Sequence, residues 1–341
     1  MPKARTLFFI SPKKVEIRET VLPPLKADEV LVETICSAIS AGTEMLVYRG
    51  QFPQLADARD VLSSDLNYPL AYGYACVGRI KETGKQVKRS QQGKLVFAFH
   101  PHASHFILRP SSLIPLPEEL SPETACFLPN METAVNLVQD GAPILGERVL
   151  VLGQGVVGLL TASLLSEFPL ESLATVDNYE LRRKALQVAG RKLRVTSLAP
   201  ADLQSFDYTQ EKPSTFNSYD LVFELSGSPS VLNDAIALTA FSGRIVIGSW
   251  YGKKRAEIDL GGKFHRSRIK IISSQVSTVA PELSGRWDKA RRFQVVFDAL
   301  KRIQPEKWIT HRFSLDNAAK AYRLLDKNPQ ETIQVIFTHS T

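Results

Sequence analysis

The stretch Val149–Gly158, VLVLGQGVVG, decides the fold. Four consecutive apolar residues, Val149 to Leu152, make a short buried strand. Gly153, Gly155 and Gly158 follow at the G-x-G-x-x-G spacing, and the apolar run Leu159–Leu165 continues as a helix. Each glycine has a physical task. Gly153 turns the chain off the strand, Gly155 leaves room for a pyrophosphate to approach the backbone, and Gly158 lets helix and sheet pack closely. The unpaired N–H groups at the helix start, from Val156 and Val157 onward, then face the phosphate charge. A glycine turn alone is weak support, since such turns are common. Here a second strand, Leu173–Val176, ends in Asp177, at about the separation the fingerprint requires. An acid at that point accepts from the adenosine ribose hydroxyls and repels a 2′-phosphate. The stretch predicts dinucleotide binding, with NAD favoured over NADP. Asn178 follows the acid directly. Arg182 and Arg183 weigh the other way, because a guanidinium clamps a 2′-phosphate.

Outward from this motif, strands and helices alternate. A helix runs on toward Phe168, where Pro169 stops it. A second follows Leu173–Val176 through Leu186 to Ala189, with Gly190 as its cap. Leu221–Phe223 is the next clear strand, Val231–Leu238 a helix and Ile245–Ile247 a strand. The pattern predicts βαβ units in a parallel sheet. Upstream, from residue 1 to about 120, short β-branched runs are punctuated by Pro23, Pro24, Gly42, Gly50, Pro69, Gly73, Gly84 and Gly93, which reads as a β-rich, barrel-like domain. Ser121-Pro122-Glu123-Thr124 has the form of a helix start, and that helix should carry Thr133 and end near Gly141. Downstream, helix Lys289–Ile303, a strand near His311–Phe313, helix Asp316–Leu325 and strand Thr332–Thr338 complete the pattern.

Composition limits the function classes. The 341 residues suffice for two domains. No apolar run approaches the ~20 residues that span a bilayer, and Leu7–Ile10 is too short for a secretory signal. Cys36, Cys76 and Cys126 are odd in number and widely spaced, which encodes neither a disulfide framework nor a zinc knuckle and fits a reducing cytoplasm. The net charge of +7 comes from scattered groups. Arg266 and Arg268 lie in the densest basic stretch, and a solvated strand edge explains them better than a nucleic-acid surface, although an anionic substrate group is a second use for them. The expected partner is a small molecule, with neither nucleic acid nor membrane.

Several stretches together resemble the medium-chain dehydrogenase/reductase superfamily, the zinc alcohol dehydrogenase group. They are ISAGTEMLVYRG (residues 39–50), YPLAYGYACVGRI (68–80), the glycine fingerprint, YDLVFELSGSP (219–229), GRIVIGSWYG (243–252) and HRFSLDNAAKAYRLLD (311–326). Within the group, Ser40–Glu44 and Gly73–Ala75 are most similar to bacteriochlorophyllide hydroxyethyl dehydrogenases. The resemblance implies an α/β fold: a GroES-like β-barrel domain, 1–125 and 269–341, and a Rossmann doubly wound parallel-sheet domain, 126–268, with the active site in the cleft between them. It also implies homodimers or homotetramers, often through the last Rossmann strand, here Ile269–Ser273.

The departures from the family pattern matter as much. Zinc-using members have a cysteine where Ala41 stands and histidine-glutamate where Tyr74-Ala75 stand, and their third ligand position falls on or near Pro129. The four-cysteine structural zinc loop is missing. The resemblance therefore implies a zinc-free member. Thr43 occupies the family's relay hydroxyl position, and Tyr74 stands where a ligand stood. Either hydroxyl can donate to an alkoxide developing on the substrate, although an aromatic filling the space left by the metal accounts for Tyr74 nearly as well. Glu44 joins them as a catalytic candidate or as a brace for the loop. His100, His102 and His105 have a metal-like spacing, but on a strand His105 points away from the other two. Proton transfer by one of the three is the alternative use. Asn130, Glu132 and Thr133 are expected near the nicotinamide end, and Ser226 and Ser249 match family turns that touch the cofactor. The leading expectation is a zinc-independent, NAD(P)-dependent oxidoreductase acting on an alcohol/carbonyl pair. Reduction of an activated C=C bond and non-catalytic cofactor binding stand as alternatives.

Overall fold

A computed structural model describes residues 3–53, 66–186, 195–203 and 218–339. The chain divides into two compact units, 130–299 and 1–129 with 300–341.

In the unit 130–299 six strands form one wholly parallel sheet in the spatial order Val195–Leu198, Ser172–Val176, Arg148–Leu152, Tyr219–Glu224, Thr239–Ile247, Lys270–Ser273. Numbered along the chain, that order is 3-2-1-4-5-6, the doubly wound arrangement of dinucleotide-binding folds. The first strand is central and bears Val149, Leu150 and Val151 without exposure, which is why it reads as an unbroken apolar run. Leu150, Leu152, Val222, Ala235, Ile236 and Ile245 gather into one core. The strand Val195–Leu198 was not foreseen. It lies at the sheet edge, only partly buried, so no apolar run marks it. The expected domain return at 269 falls inside this sheet, because Lys270–Ser273 pairs with residues 244–247 of its neighbour. The compact unit continues to Ala299.

The glycine loop follows the geometry its spacing implies. Gly153 has φ +99°, and a Cβ there would lie 2.6 Å from the Leu225 carbonyl oxygen. A Cβ on Gly158 would meet the Gly153 carbonyl oxygen at 1.9 Å, so helix Val156–Leu165 can approach the loop only with glycine there. The second helix spans Glu180–Ala185, and Gly190, its expected cap, lies outside the described residues.

The other unit is built mainly of antiparallel strands. One sheet orders Ile309–Ser314, Gln334–Thr338, Val30–Ala38, Cys76–Thr83, Leu95–Ala98 and Ile114–Pro115, with His105–Leu108 also pairing Val30–Ala38. A second holds Lys14–Val21, Lys3–Ser11 and Leu70–Ala71. Val30, Val32, Ile80, Val96 and Phe106 fill the barrel-like core. Ile309–Ser314 and Gln334–Thr338 run parallel, and helix Ala318–Lys327 lies between them in the chain. The fold is therefore α/β, a Rossmann-type parallel sheet joined to a β-rich unit.

The helix expected to start at Ser121 begins there. Ser121 Oγ accepts from the Thr124 N–H at 3.1 Å. It is two helices rather than one, Pro122–Ala125 and Leu128–Gly141. Pro129 has no N–H to give the Ala125 carbonyl, so the ladder breaks and restarts around it. The three cysteines, far apart in sequence, are free and buried, with Cys36 and Cys126 Sγ atoms 3.3 Å apart. Among the described residues no helix is long and apolar enough to cross a membrane.

Candidate functional site

The dinucleotide end forms at the carboxyl edge of the parallel sheet. Gly155 caps helix Val156–Leu165, and a Cβ on it would meet nothing within 4 Å. Open space therefore lies over the loop where a pyrophosphate would need it. Asp177 ends the neighbouring strand almost fully buried. Its Oδ2 accepts from the Gln154 N–H at 2.7 Å and its Oδ1 from the Tyr179 N–H at 2.8 Å. The acid thus ties the glycine loop to the second strand, and each oxygen still has a lone pair for a ribose hydroxyl. The Arg182 guanidinium lies over the Tyr179 ring, 3.9 Å from Asp177 Oδ2. Arg183 donates to the carbonyls of Asp177 and Asn178. Val156 and Val157 open the helix beside Gly155. These residues fit a dinucleotide.

Ser226 and Ser249 meet on the turn after Tyr219–Glu224, but their hydroxyls build that turn. Ser226 Oγ donates to the buried Glu224 carboxylate, and Ser249 Oγ accepts from the Gly227 N–H at 2.9 Å. The Tyr251 hydroxyl also donates to Glu224, at 2.5 Å, and burial raises its pKa. Sequence reasoning missed Glu224 and Tyr251. A lone acid closing an apolar strand was the signal for the first.

Thr133 lies on helix Leu128–Gly141 beside Glu132. Glu132 is bound by Arg292, a side chain with no exposed surface, whose Nε and Nη2 donate to Glu132 Oε1 at 3.1 and 2.8 Å. Arg266 and Arg268 are exposed, in keeping with solvated charges.

In the β-rich unit, Tyr74, Ser40 and Thr43 come together. The Tyr74 hydroxyl lies near those of Ser40 and Thr43, and its pKa is pushed up to about 12, first by burial and then by the Glu44 charge, the two neighbouring hydroxyls opposing the rise. Thr43 N–H donates to Ser40 Oγ at 3.3 Å. Sequence reading had paired Thr43 with Tyr74 but not with Ser40. Glu44, expected either as a catalytic candidate or as a brace for the loop, lies beneath these hydroxyls, where the brace is the role its contacts fit. Its carboxylate is 0% exposed and occupied by three donors: Ser40 N–H at 2.8 Å, His102 Nε2 at 2.9 Å and the Tyr322 hydroxyl at 2.6 Å. Glu44, two residues past Gly42, folds under the loop because the first turn of helix Thr43–Arg49 directs it inward.

The three histidines do not converge. His100 stacks on Phe106 at 4.3 Å and donates through Nδ1 to the Pro101 carbonyl at 2.8 Å. His102 is buried against Glu44, and His105 Nε2 lies 3.3 Å from Glu33 Oε1. Ala41 and Ala75 supply no ligand atom, and the Tyr74 phenol is a poor one. Among the described residues no three His, Cys, Asp or Glu side chains stand together as a metal site. The residues at the family's zinc positions do not fit a zinc ion.

No family model matches the chain. Among curated proteins it is 23% identical to the starvation-sensing protein RspB of Escherichia coli, over 98% of this chain and 99% of that protein. It is 22% identical to the L-threonine 3-dehydrogenase of Xanthomonas campestris, over 92% and 94%. Among solved structures, the NADH complex of the alcohol dehydrogenase rspB from E. coli CFT073 superposes with a TM-score of 0.77 at 20% identity, covering 98% of this chain and 99% of that one. Its 3-2-1-4-5-6 sheet, its glycine loop and these full-length likenesses make the chain similar, over nearly its whole length, to zinc-type alcohol dehydrogenase-like proteins of the medium-chain dehydrogenase/reductase superfamily.

Proposed function

We propose that the chain is a zinc-independent, NAD(P)-dependent oxidoreductase of an alcohol/carbonyl pair, in which Tyr74 does the work a zinc ion does in metal-using relatives. The observation that carries this reading is the proximity of the Tyr74 phenol to the Ser40–Thr43 turn, closed by the Thr43 N–H to Ser40 Oγ bond, at a position where the family pattern has a metal ligand. The NADH-bound alcohol dehydrogenase and the L-threonine 3-dehydrogenase among its relatives support the reaction class. When bound, the nicotinamide dinucleotide supplies or accepts the hydride.

The chain's own residues do the rest. The Gly153–Gly158 loop and the N–H groups of Val156 and Val157 hold the pyrophosphate. Asp177 takes the ribose hydroxyls, with Asn178 and Arg182 beside it, and Ser226, Ser249 and Thr133 position the nicotinamide half. At the carbonyl oxygen, Tyr74 donates a hydrogen bond to the developing negative charge and passes its proton on. Thr43 and Ser40 orient that O–H and carry the replacement proton.

Tyr74→Phe keeps the ring and removes the donor. The expected loss in kcat is ~100- to 1,000-fold, with the affinity for NADH unchanged, because the residues assigned to the dinucleotide lie in the other unit. Turnover of an alcohol/carbonyl pair near the wild-type rate by this variant refutes the role of Tyr74.

A further inference from the structure

Glu44 is a wholly buried carboxylate that no step above uses, and two distant stretches converge with its own turn upon it. Its Oε1 accepts from the Ser40 N–H at 2.8 Å. Its Oε2 accepts from His102 Nε2 at 2.9 Å and from the Tyr322 hydroxyl at 2.6 Å. None of these donors is loosely held. His102 has Ser37 Oγ 2.8 Å from its Nδ1 and the Phe337 ring edge-on at 5.0 Å. Gly73, at φ +126°, leaves the space the imidazole occupies, since a Cβ there would stand 2.7 Å from His102 Cδ2. Tyr322 is stacked on Tyr48 at 5.3 Å and meets Phe9 edge-on at 5.2 Å.

The clamp therefore touches both halves of the Tyr74 site. It fixes the Ser40–Thr43 turn through the Ser40 amide, and it packs His102 beneath the Gly73–Tyr74 turn. The titratable groups around Glu44 are His102, Tyr322, Tyr74 and Cys76, and those near His102 are His100 and His339. Among the described residues, Glu44 is the charged group that bears on the Tyr74 phenol. A tyrosine that serves as a phenolate base needs the reverse, a cation at its side.

We propose that Glu44 is a positioning residue that fits the site to carbonyl reduction: clamped by His102, Tyr322 and the Ser40 amide, it fixes the Ser40–Thr43 turn and the Gly73–Tyr74 turn beside each other and keeps Tyr74 a neutral O–H donor. The proposal rests on the reading of Tyr74 given above and names the direction in which that site works best. With a reduced nicotinamide dinucleotide as hydride source, a C–H bond forms at the carbonyl carbon and the C=O π pair moves to oxygen. The Tyr74 O–H bond breaks to protonate that oxygen, and the phenolate regains a proton from water through Ser40 and Thr43. Alcohol oxidation runs the same path backwards and needs the phenolate. With the phenol pushed up to about 12, that form is about one part in 10⁵ at pH 7.

The test is a titration of the cofactor-free protein labelled with ¹³C at tyrosine Cζ, the Tyr74 signal being assigned by its loss in Tyr74→Phe. In the wild type that signal should keep its neutral position beyond pH 11. In Glu44→Gln it should titrate at lower pH than in the wild type, a severalfold rise in the ionisation constant, while the burial that is the larger cause of the shift remains. Tyr322→Phe keeps the aromatic stack and removes one donor, and it should shift the Tyr74 signal if Glu44→Gln does not fold. With substrate, wild-type reduction should be flat from pH 6 to 10 while oxidation rises about tenfold per unit, and Glu44→Gln should narrow that gap without changing the affinity for NADH.

Tyr74 ionising near pH 10 in the wild type, or identically in wild type and both variants, overturns the proposal. The two readings fail separately. A Tyr74 signal that moves as expected, with full activity in Tyr74→Phe, refutes the catalytic role and leaves the clamp standing. An inactive Tyr74→Phe whose phenol ignores Glu44→Gln refutes the clamp alone.

Discussion

Replacing Arg292 by methionine tests how the helix bearing Thr133 is held. The guanidinium is fully buried and makes five hydrogen bonds: two to Glu132 Oε1, one to Asn136 Oδ1 at 2.6 Å, and one each to the Val276 and Thr278 carbonyls at 2.6 and 3.2 Å. It joins helix Leu128–Gly141 to the segment after strand Lys270–Ser273. Methionine fills much of the volume but strands the Glu132 carboxylate, leaving Lys289 Nζ, 3.6 Å away and half exposed, as its cation. Removing one partner of a buried ion pair costs about 3–5 kcal/mol. Unfolding entropy of ~2.1 cal/mol/K per residue gives the roughly 170 residues of this unit about 0.36 kcal/mol/K, so a loss of about 4 kcal/mol lowers Tm by about 11 °C. Calorimetry of Arg292→Met, Glu132→Gln and the double variant reads this directly. The double variant should recover a good part of the loss, since no charge is then left without its partner. A fall in Tm below about 3 °C for Arg292→Met, or strict additivity in the double variant, refutes the reasoning.

Three further outcomes are expected. NADH should quench or enhance protein fluorescence at lower concentration than NADPH, because Asp177 at the second strand end repels a 2′-phosphate; equal or tighter NADPH binding would mean that Arg182 and Arg183 dominate. Elemental analysis of dialysed protein should find no stoichiometric zinc, and one zinc per chain would overturn the assignment of Ala41, Tyr74 and Ala75. His339, whose Nε2 is buried without a hydrogen-bond partner among the described residues, has its pKa lowered to about 4, mainly by burial and further by His102, His105 and Arg5. A depressed histidine contributes stability that is present above the unfolded value of about 6.5 and is lost as pH falls toward 4, at most about 3 kcal/mol. Chemical denaturation of His339→Asn should therefore show a shallower loss between those pH values, and an unchanged slope would count against it.

Local chemistry was legible wherever the chain's own backbone imposed it. The Val149–Gly158 run announced the central strand, the loop and the helix, because burial on both faces demands an unbroken apolar strand and a close helix approach demands glycine at 158. Asp177 was legible for the same reason, as the residue that closes a strand beside that loop. Ser121 was readable as a helix start, since capping is a contact between residues three apart. The split at Pro129 was written in the sequence too, but the apolar residues on either side masked it. The edge strand Val195–Leu198 left no mark because an edge position asks for little burial.

What the tertiary structure decided is which distant residues meet. Nothing in the spacing of Glu44, His102 and Tyr322 brings them together, and nothing in the separation of Cys36 and Cys126 predicts Sγ atoms 3.3 Å apart. The H-x-H-x-x-H run resembled a ligand set, yet the fold sends its three rings to a phenylalanine, a buried glutamate and a surface acid. Glu132 and Arg292, 160 residues apart, pair only because the chain closes a six-stranded sheet between them. A side chain's partners across such separations depend on strand order and register, which long-range packing fixes and local sequence pattern does not.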